Sequence, residues 1–334
     1  MSFPDNVIFF YNKVINKTFG QKYSILEKLL HKFNEEHDPP EILFLGDSTV
    51  VRGSYLDDDR RSIPEMLQGL LGKEIKVLSL AKGAYHTGIF YHLINMLNRT
   101  LNKPRLIILP INMRSFSPQW HLCPKYQFLS EIEHLKRNYK NNSSNLRCKI
   151  KKYRMPFHEI QVEYPMTTFR TVGEFEECLK SKPNEYYLQI ERRKQLSIYF
   201  YLHKLTSNHP KLESLKDILK LVRKLDIKIL LYITPVNYLA AGKNVGKNFH
   251  KHFSYNLSIL KTMLKNENVL IIDNESFGEE EFRNTFKVCT DFANSLGREY
   301  FFHAEFLNEH LNEKGRTFLA EHISGITSNI LKNI

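Results

Sequence analysis

A chain of 334 residues with 42% hydrophobic and 25% charged residues has the composition of a folded protein rather than a disordered one, and it is long enough to bury a large core. Its formal net charge of +12 permits an anionic partner, such as an acidic polysaccharide, a lipid headgroup or nucleic acid, without demanding one. No Cys/His finger pattern or glycine-flanked aromatic ribonucleoprotein motif accompanies that charge, which argues against nucleic acid, and no apolar run approaches the ~20 residues needed to span a bilayer.

The four cysteines, Cys123, Cys148, Cys178 and Cys289, are spaced too widely for a zinc knuckle or a dense disulfide scaffold, and they point to a reducing compartment. The start, Met1-Ser2-Phe3-Pro4-Asp5, lacks the parts of a secretory signal, so the expected location is the cytoplasm. Val7, Phe10, Tyr11, Val14 and Ile15 follow helical spacing. That first helix either packs on the main body or, through its aromatics and flanking lysines, makes a peripheral membrane contact. Ser24 followed by Glu27 reads as a capping box for a second helix, with Ile25, Leu26, Leu29, Leu30 and Phe33 on its apolar face. Pro39 and Pro40 close an N-terminal helical extension over residues 1–40.

Ile42 to Leu45 is a short apolar run that predicts a strand buried on both faces, and Gly46-Asp47-Ser48 interrupts it with turn-forming residues. Ser48 is thereby delivered to the carboxyl edge of a sheet, either as a helix cap or as a nucleophile. Asp57-Asp58-Asp59 lacks calcium-loop spacing and reads as a solvated acidic loop. Ser62 and Glu65 form another capping box, Pro64 suits a first turn, and Gly72 can close the helix before a strand at Ile75 to Leu80. Gly83, in the turn after that strand, offers unusual backbone angles and an approachable N–H, as a plain turn or as a substrate contact. His86 beside it reads as a helix-start or core histidine in preference to a second base.

A helix through Phe90, Ile94 and Leu97 leads to a third strand, Leu106 to Ile111, which places Asn112 at the same edge as a turn residue or an amide donor. Arg114 either holds an anionic substrate group or pairs with a carboxylate. From 117 to 212 the alternation lapses into a basic, tyrosine-rich stretch that reads as a helical insertion or lid. The pattern resumes with a helix through Leu215, Ile218, Leu219, Val222 and Leu225, a strand at Ile227 to Ile233, a helix over 251–265 and a strand at Val269 to Ile272. Alternating strands and helices predict an α/β protein with a doubly wound, mostly parallel five-stranded sheet, its main domain formed by 41–116 and 213–334. His310, before a terminal helix bearing Phe318, Leu319 and Ile323, is a residue able to take a serine proton at neutral pH and return it.

Gly46-Asp47-Ser48, Gly83, Asn112 and His310-Leu311-Asn312 with Gly315, at successive strand ends and before a last helix, resemble the blocks of the SGNH/GDSL hydrolase superfamily. The last block is closest in flavour to acyl-modifying, O-acetyltransferase-like members. The resemblance implies a flavodoxin-like fold and a serine-dependent esterase or O-acyltransferase acting on a small-molecule or glycan ester. It implies Ser48 as nucleophile, His310 as base, and Gly83 and Asn112 as oxyanion donors. No metal or nucleotide cofactor is called for. Two departures stand out: Pro110-Ile111-Asn112-Met113 lacks the family's glycine and aspartate, and Leu307 occupies the position of the triad acid. Glu305, Asn308 and Glu309 are sequence-near substitutes for that acid, and a Ser48–His310 dyad, a displaced acid, and a catalytically inactive binding protein for an anionic partner all follow from the gap.

Overall fold

Period-two alternation within the apolar strands sorts their side chains onto two sides of one sheet. The structure, a computed structural model, describes residues 25–35, 37–51, 53, 57–117, 127–139, 181, 200–237, 241–242, 246, 248–264, 270–272 and 310–332. Strands β1 (Ile42–Gly46), β2 (Val77–Ala81), β3 (Leu106–Ile111), β4 (Lys228–Ile233) and the short β5 (Leu270–Ile272) pair in the order β2-β1-β3-β4-β5. Every pairing is parallel, with Ile42 opposite Val77 and Leu106, Leu106 opposite Lys228, and Leu230 opposite Leu270. All carboxyl ends therefore lie on one rim, and strand order reverses between β1 and β3, the usual place for a site in such sheets.

One face of the sheet presents Leu43, Leu45, Ile107, Leu109, Leu231 and Ile233. It is covered by helices α1 (Ile25–Asn34), α4 (Thr87–Met96), α5 (Leu129–Tyr139), α6 (Pro210–Lys224) and α7 (Asn248–Leu264). The other presents Ile42, Phe44, Leu106, Ile108, Leu230 and Tyr232 to α3 (Ile63–Leu71) and α8 (Glu313–Lys332). Between β1 and α3 lies α2 (Ser48–Val51), a single turn. The protein is thus an α/β/α sandwich, doubly wound as the alternation predicts.

Several local expectations find direct structural causes. Glu65 accepts hydrogen bonds from Ser62 N (2.6 Å) and Oγ (2.7 Å), and Gly72 closes α3 at a φ of 79°, a left-handed angle that favours glycine. Leu29 and Phe33 of α1 are fully buried, so from Ile25 onward the chain belongs to the main core rather than to an extension. Within the expected insertion, Ile132 and Leu135 of α5 and Phe200, Tyr201, Leu202 and Leu205 enter the same core. Helix α6 starts at Pro210, capped by the His209 ring, which accepts from Lys211 N at 3.2 Å; the main-domain pattern therefore resumes three residues earlier than predicted. The first predicted helix, Ser24, the four cysteines and the segment 140–154 lie outside the described residues.

The acidic run is the clearest correction. Asp57 is buried, and its Oδ2 accepts from Arg316 Nη1 of α8 at 2.7 Å, in an ion pair whose guanidinium is fully buried. Asp59 pairs with Arg61, and its backbone N–H donates to Glu313 Oε2 at 2.9 Å. Through Asp57 and the Asp59 backbone the loop is therefore a latch between the β1 side of the molecule and the C-terminal helix, while Asp58 between them stays exposed.

Candidate active site

β1 ends in Gly46, and the chain then turns back so sharply that a Cβ on Gly46 would stand 2.6 Å from Val50 Cβ. Only glycine permits that approach without displacing α2. Asp47, which is buried, accepts from Thr49 N at 2.8 Å and Thr49 Oγ1 at 2.6 Å through Oδ1. Its carboxylate thus caps the turn that begins at Ser48. Its other oxygen accepts from Asn112 Nδ2 at 2.9 Å, which ties the end of β1 to the end of β3. Burial and then the Asp47 charge push the Tyr232 hydroxyl well above its ordinary value, so this neighbour stays neutral.

Ser48 itself is buried, and its Oγ stands 3.1 Å from His310 Nε2, across 262 residues of sequence. With the neutral ring protonated at Nδ1, Nε2 accepts the hydroxyl proton. The position of His310 is fixed from behind. Arg316 Nη1 donates to Leu311 O at 3.0 Å as well as to Asp57, Nε donates to Arg61 O at 2.9 Å, and Nη2 donates to Asp59 O. Asn312 Oδ1 accepts from Gly315 N at 3.0 Å and starts α8. The histidine therefore hangs on a helix start locked to the acidic loop.

Asn112 also accepts, through Oδ1, from Arg114 N at 3.1 Å, which opens a short 3-10 turn, Met113–Phe116. Arg114 is buried, its guanidinium lies 5.5 Å from the Phe200 ring centroid, and its Nη2 reaches Ser48 Oγ at 3.5 Å. The turn is braced by Lys211, whose Nζ donates to Ser115 O. Gly83 follows β2, whose Ala81 pairs with Gly46, and Lys82 N donates to Gly46 O at 3.2 Å. Its turn thus stands beside the start of α2. The left-handed residue of that turn is not Gly83 but Ala84, at a φ of 68°, with Tyr85 N closing the turn on Lys82 O at 3.1 Å. His86 caps α4, its Nδ1 accepting from Gly88 N at 3.1 Å.

No family model and no curated protein matches the sequence. Solved structures do align with it. A carbohydrate acetylesterase family member from Sinorhizobium meliloti covers 87% of this chain and 99% of its own at 9% identity and a TM-score of 0.42. An aryl esterase from M. smegmatis covers the same shares at 9% identity and a TM-score of 0.39. An acetylxylan esterase from Geobacillus stearothermophilus covers 87% of this chain and 93% of its own at 12% identity and a TM-score of 0.40. The chemistry open to the site follows from its own side chains.

The structure thus joins Ser48 to His310 directly, joins Asn112 to the same rim through Asp47, and places Gly83 in the adjoining turn. Leu307, Glu305, Asn308, Glu309 and His303 lie outside the described residues. Three contributors escape a reading by spacing. Asp57 and Arg316 are 259 residues apart, and Lys211 looks like any helix-surface lysine. The only local sign of the first pair is an acidic run close behind the Gly-Asp-Ser block.

Proposed function

We propose that this protein is a serine-dependent esterase or O-acyltransferase of SGNH type, acting on an acylated polar substrate such as a glycan ester. The observation that carries the reading is the buried 3.1 Å contact between Ser48 Oγ and His310 Nε2. A neutral serine hydroxyl is a poor nucleophile, and an imidazole acceptor on its proton is the means of activating it. Ser48 Oγ attacks the acyl carbon while its proton passes to His310 Nε2. The carbonyl π pair moves onto oxygen as the tetrahedral oxyanion, which Gly83 N–H, the Asn112 amide and Ser48 N–H are assigned to hold. Collapse expels the alcohol, protonated by His310, and leaves an acyl-Ser48 ester. Water or a second alcohol, deprotonated by the same ring, then takes the acyl group.

The choice between water and alcohol rests on which acceptor the pocket holds better. The test is covalent labelling: a serine-directed phosphonate marks Ser48 in the folded protein, and His310→Ala reduces the labelling rate at least ~100-fold. Acetylated sugars and candidate acceptor alcohols, added to the acyl-enzyme, then separate hydrolysis from transfer. A folded protein whose Ser48 resists small and bulky probes alike would overturn the proposal and leave a binding protein.

A further inference from the structure

Among the described residues, Ser48 Oγ has two polar neighbours, and they act on opposite ends of the hydroxyl. His310 Nε2 takes its hydrogen, while Arg114 Nη2 donates to its oxygen at 3.5 Å, the long end of hydrogen-bond range. A hydroxyl has one hydrogen and two lone pairs, so both contacts are made at once. Arg114 is buried, its guanidinium is held over Phe200, its backbone N–H is pinned by Asn112 Oδ1, and its turn is braced by the Lys211 Nζ contact to Ser115 O. The group is thus a preorganised positive charge beside the nucleophile, not a mobile surface arginine. The Asn112 amide, by contrast, already commits one of its donor directions to Asp47 Oδ2.

We infer that Arg114 is a catalytic residue of this site, a charged donor that stabilises first the developing alkoxide of Ser48 and then the tetrahedral oxyanion beside it. The inference rests on the reading of Ser48 as the nucleophile. The oxyanion forms on the carbon bonded to Ser48 Oγ, one further bond away, so a donor within hydrogen-bond range of Oγ reaches the new charge by a small shift. In the resting enzyme Arg114 faces a neutral oxygen at long range; in the transition state it faces an anion, so its contact strengthens as the barrier is climbed. The same placement is too close to the reacting atoms to serve a remote anionic substituent of the substrate. As the acyl group leaves, the electron pair returns to the carbonyl, the leaving alcohol takes the proton from His310, and Arg114 ends as it began, with no proton transferred.

The test compares wild type with Arg114→Gln and Arg114→Met, the latter keeping an apolar stem against Phe200 in case the first variant fails to fold. Substrates are a neutral activated ester, p-nitrophenyl acetate, and a carboxylate-bearing ester of the same alcohol. Methylboronic acid, which forms an anionic tetrahedral adduct with an activated serine, reports the second quantity, its dissociation constant. The expected result is a fall in kcat of about 100-fold or more on both esters, with KM little changed and boronate affinity reduced in step. A merely structural role would not move kcat and boronate affinity together at unchanged KM. Arg114→Lys, which keeps the charge without the planar fork, restores part of the loss. A change confined to KM for the carboxylate-bearing ester would overturn the inference in favour of substrate-anion binding. Wild-type kcat in either folded variant would overturn it outright while leaving Ser48 as nucleophile. A wild-type protein that cleaves neither ester and binds no boronate would instead overturn the reading of the site, and this inference with it.

Discussion

Lys211 and Arg316 are both buried basic side chains that brace the site, one from each face of the sheet, and their surroundings differ in kind. Arg316, on the α8 face, brings its counter-charge: Asp57 pairs with it, and the carbonyls of Leu311, Arg61 and Asp59 accept three further hydrogen bonds. Lys211, on the α6 face, donates from Nζ to the Ser115 carbonyl, and burial pushes its ammonium well below lysine's ordinary value. Two histidines on that same face behave alike. Burial, with smaller contributions from neighbouring charges, lowers His203 to about 3 and His92 to about 4. One face thus resolves its buried charge by pairing it, whereas on the other burial favours the neutral forms of His92, His203 and Lys211.

Breaking the paired cation has the largest expected effect. Arg316→Met leaves the Asp57 carboxylate buried without its guanidinium and should cost about 3–5 kcal/mol in denaturant unfolding. Adding Asp57→Leu should recover part of that loss, because a buried pair replaced whole is far less costly than one broken in half. The single variant should also lose kcat, since the same guanidinium holds the carbonyl of Leu311 next to His310. Equal stability of the single and double variants would remove the pairing from the account.

The neutral face sharpens the contrast through pH. The unfolded chain holds a proton on His92 up to about 6.5, whereas the folded chain holds it only below about 4. Stability is therefore present above 6.5 and lost as pH falls from there toward 4, by roughly 3 kcal/mol for this group. His92→Leu should flatten that acid limb, measured by urea midpoints at successive pH values. Lys211→Met acts at the other end of the scale. The lowered folded value means that the unfolded chain binds the extra proton up to about 10.5, so wild-type stability rises with pH toward that value. The variant should lose up to ~1.4 kcal/mol per pH unit of that slope while changing stability at neutral pH by no more than about 1–2 kcal/mol. A slope unchanged in Lys211→Met would place the buried charge elsewhere.

The smallest expected effect lies on the rim between the faces. Ala84 holds a left-handed φ of 68° that glycine adopts freely, so Ala84→Gly should stabilise the turn by roughly 0.5–1 kcal/mol, read as a shifted midpoint at unchanged m-value.

The same contrast explains what the sequence displays and what it hides. The strands were legible because Ile42–Leu45, Leu106–Ile111 and the β4 run are apolar on both faces, and a parallel sheet covered by two helical layers requires that pattern. Strand edges moved by only a residue or two, as at Val77, where pairing rather than hydrophobicity sets the boundary. Ser48 and His310 were legible as candidates because both follow recognisable punctuation, a Gly-Asp-Ser turn and a Gly315-marked helix start. The Asp57–Arg316 latch was not, since an acidic triplet is locally indistinguishable from a solvated loop until its partner arrives 259 residues later. Arg114 was visible as a choice between a substrate anion and a carboxylate, and what the chain order did not reveal is that its turn aims Nη2 at the nucleophile. Gly83 was picked out for its backbone freedom, and the fold spends a left-handed angle on Ala84 instead.

The most direct test of the account is to trap the acyl-enzyme. Wild-type protein mixed with p-nitrophenyl acetate and acid-quenched within the first turnover should carry one acetyl group on the peptide containing Ser48, seen by mass spectrometry, together with a burst of p-nitrophenol of equal stoichiometry. Ser48→Ala should show neither, and His310→Ala should form the adduct far more slowly. Acetyl found on lysine or tyrosine instead, or a burst that survives in Ser48→Ala, would contradict the account.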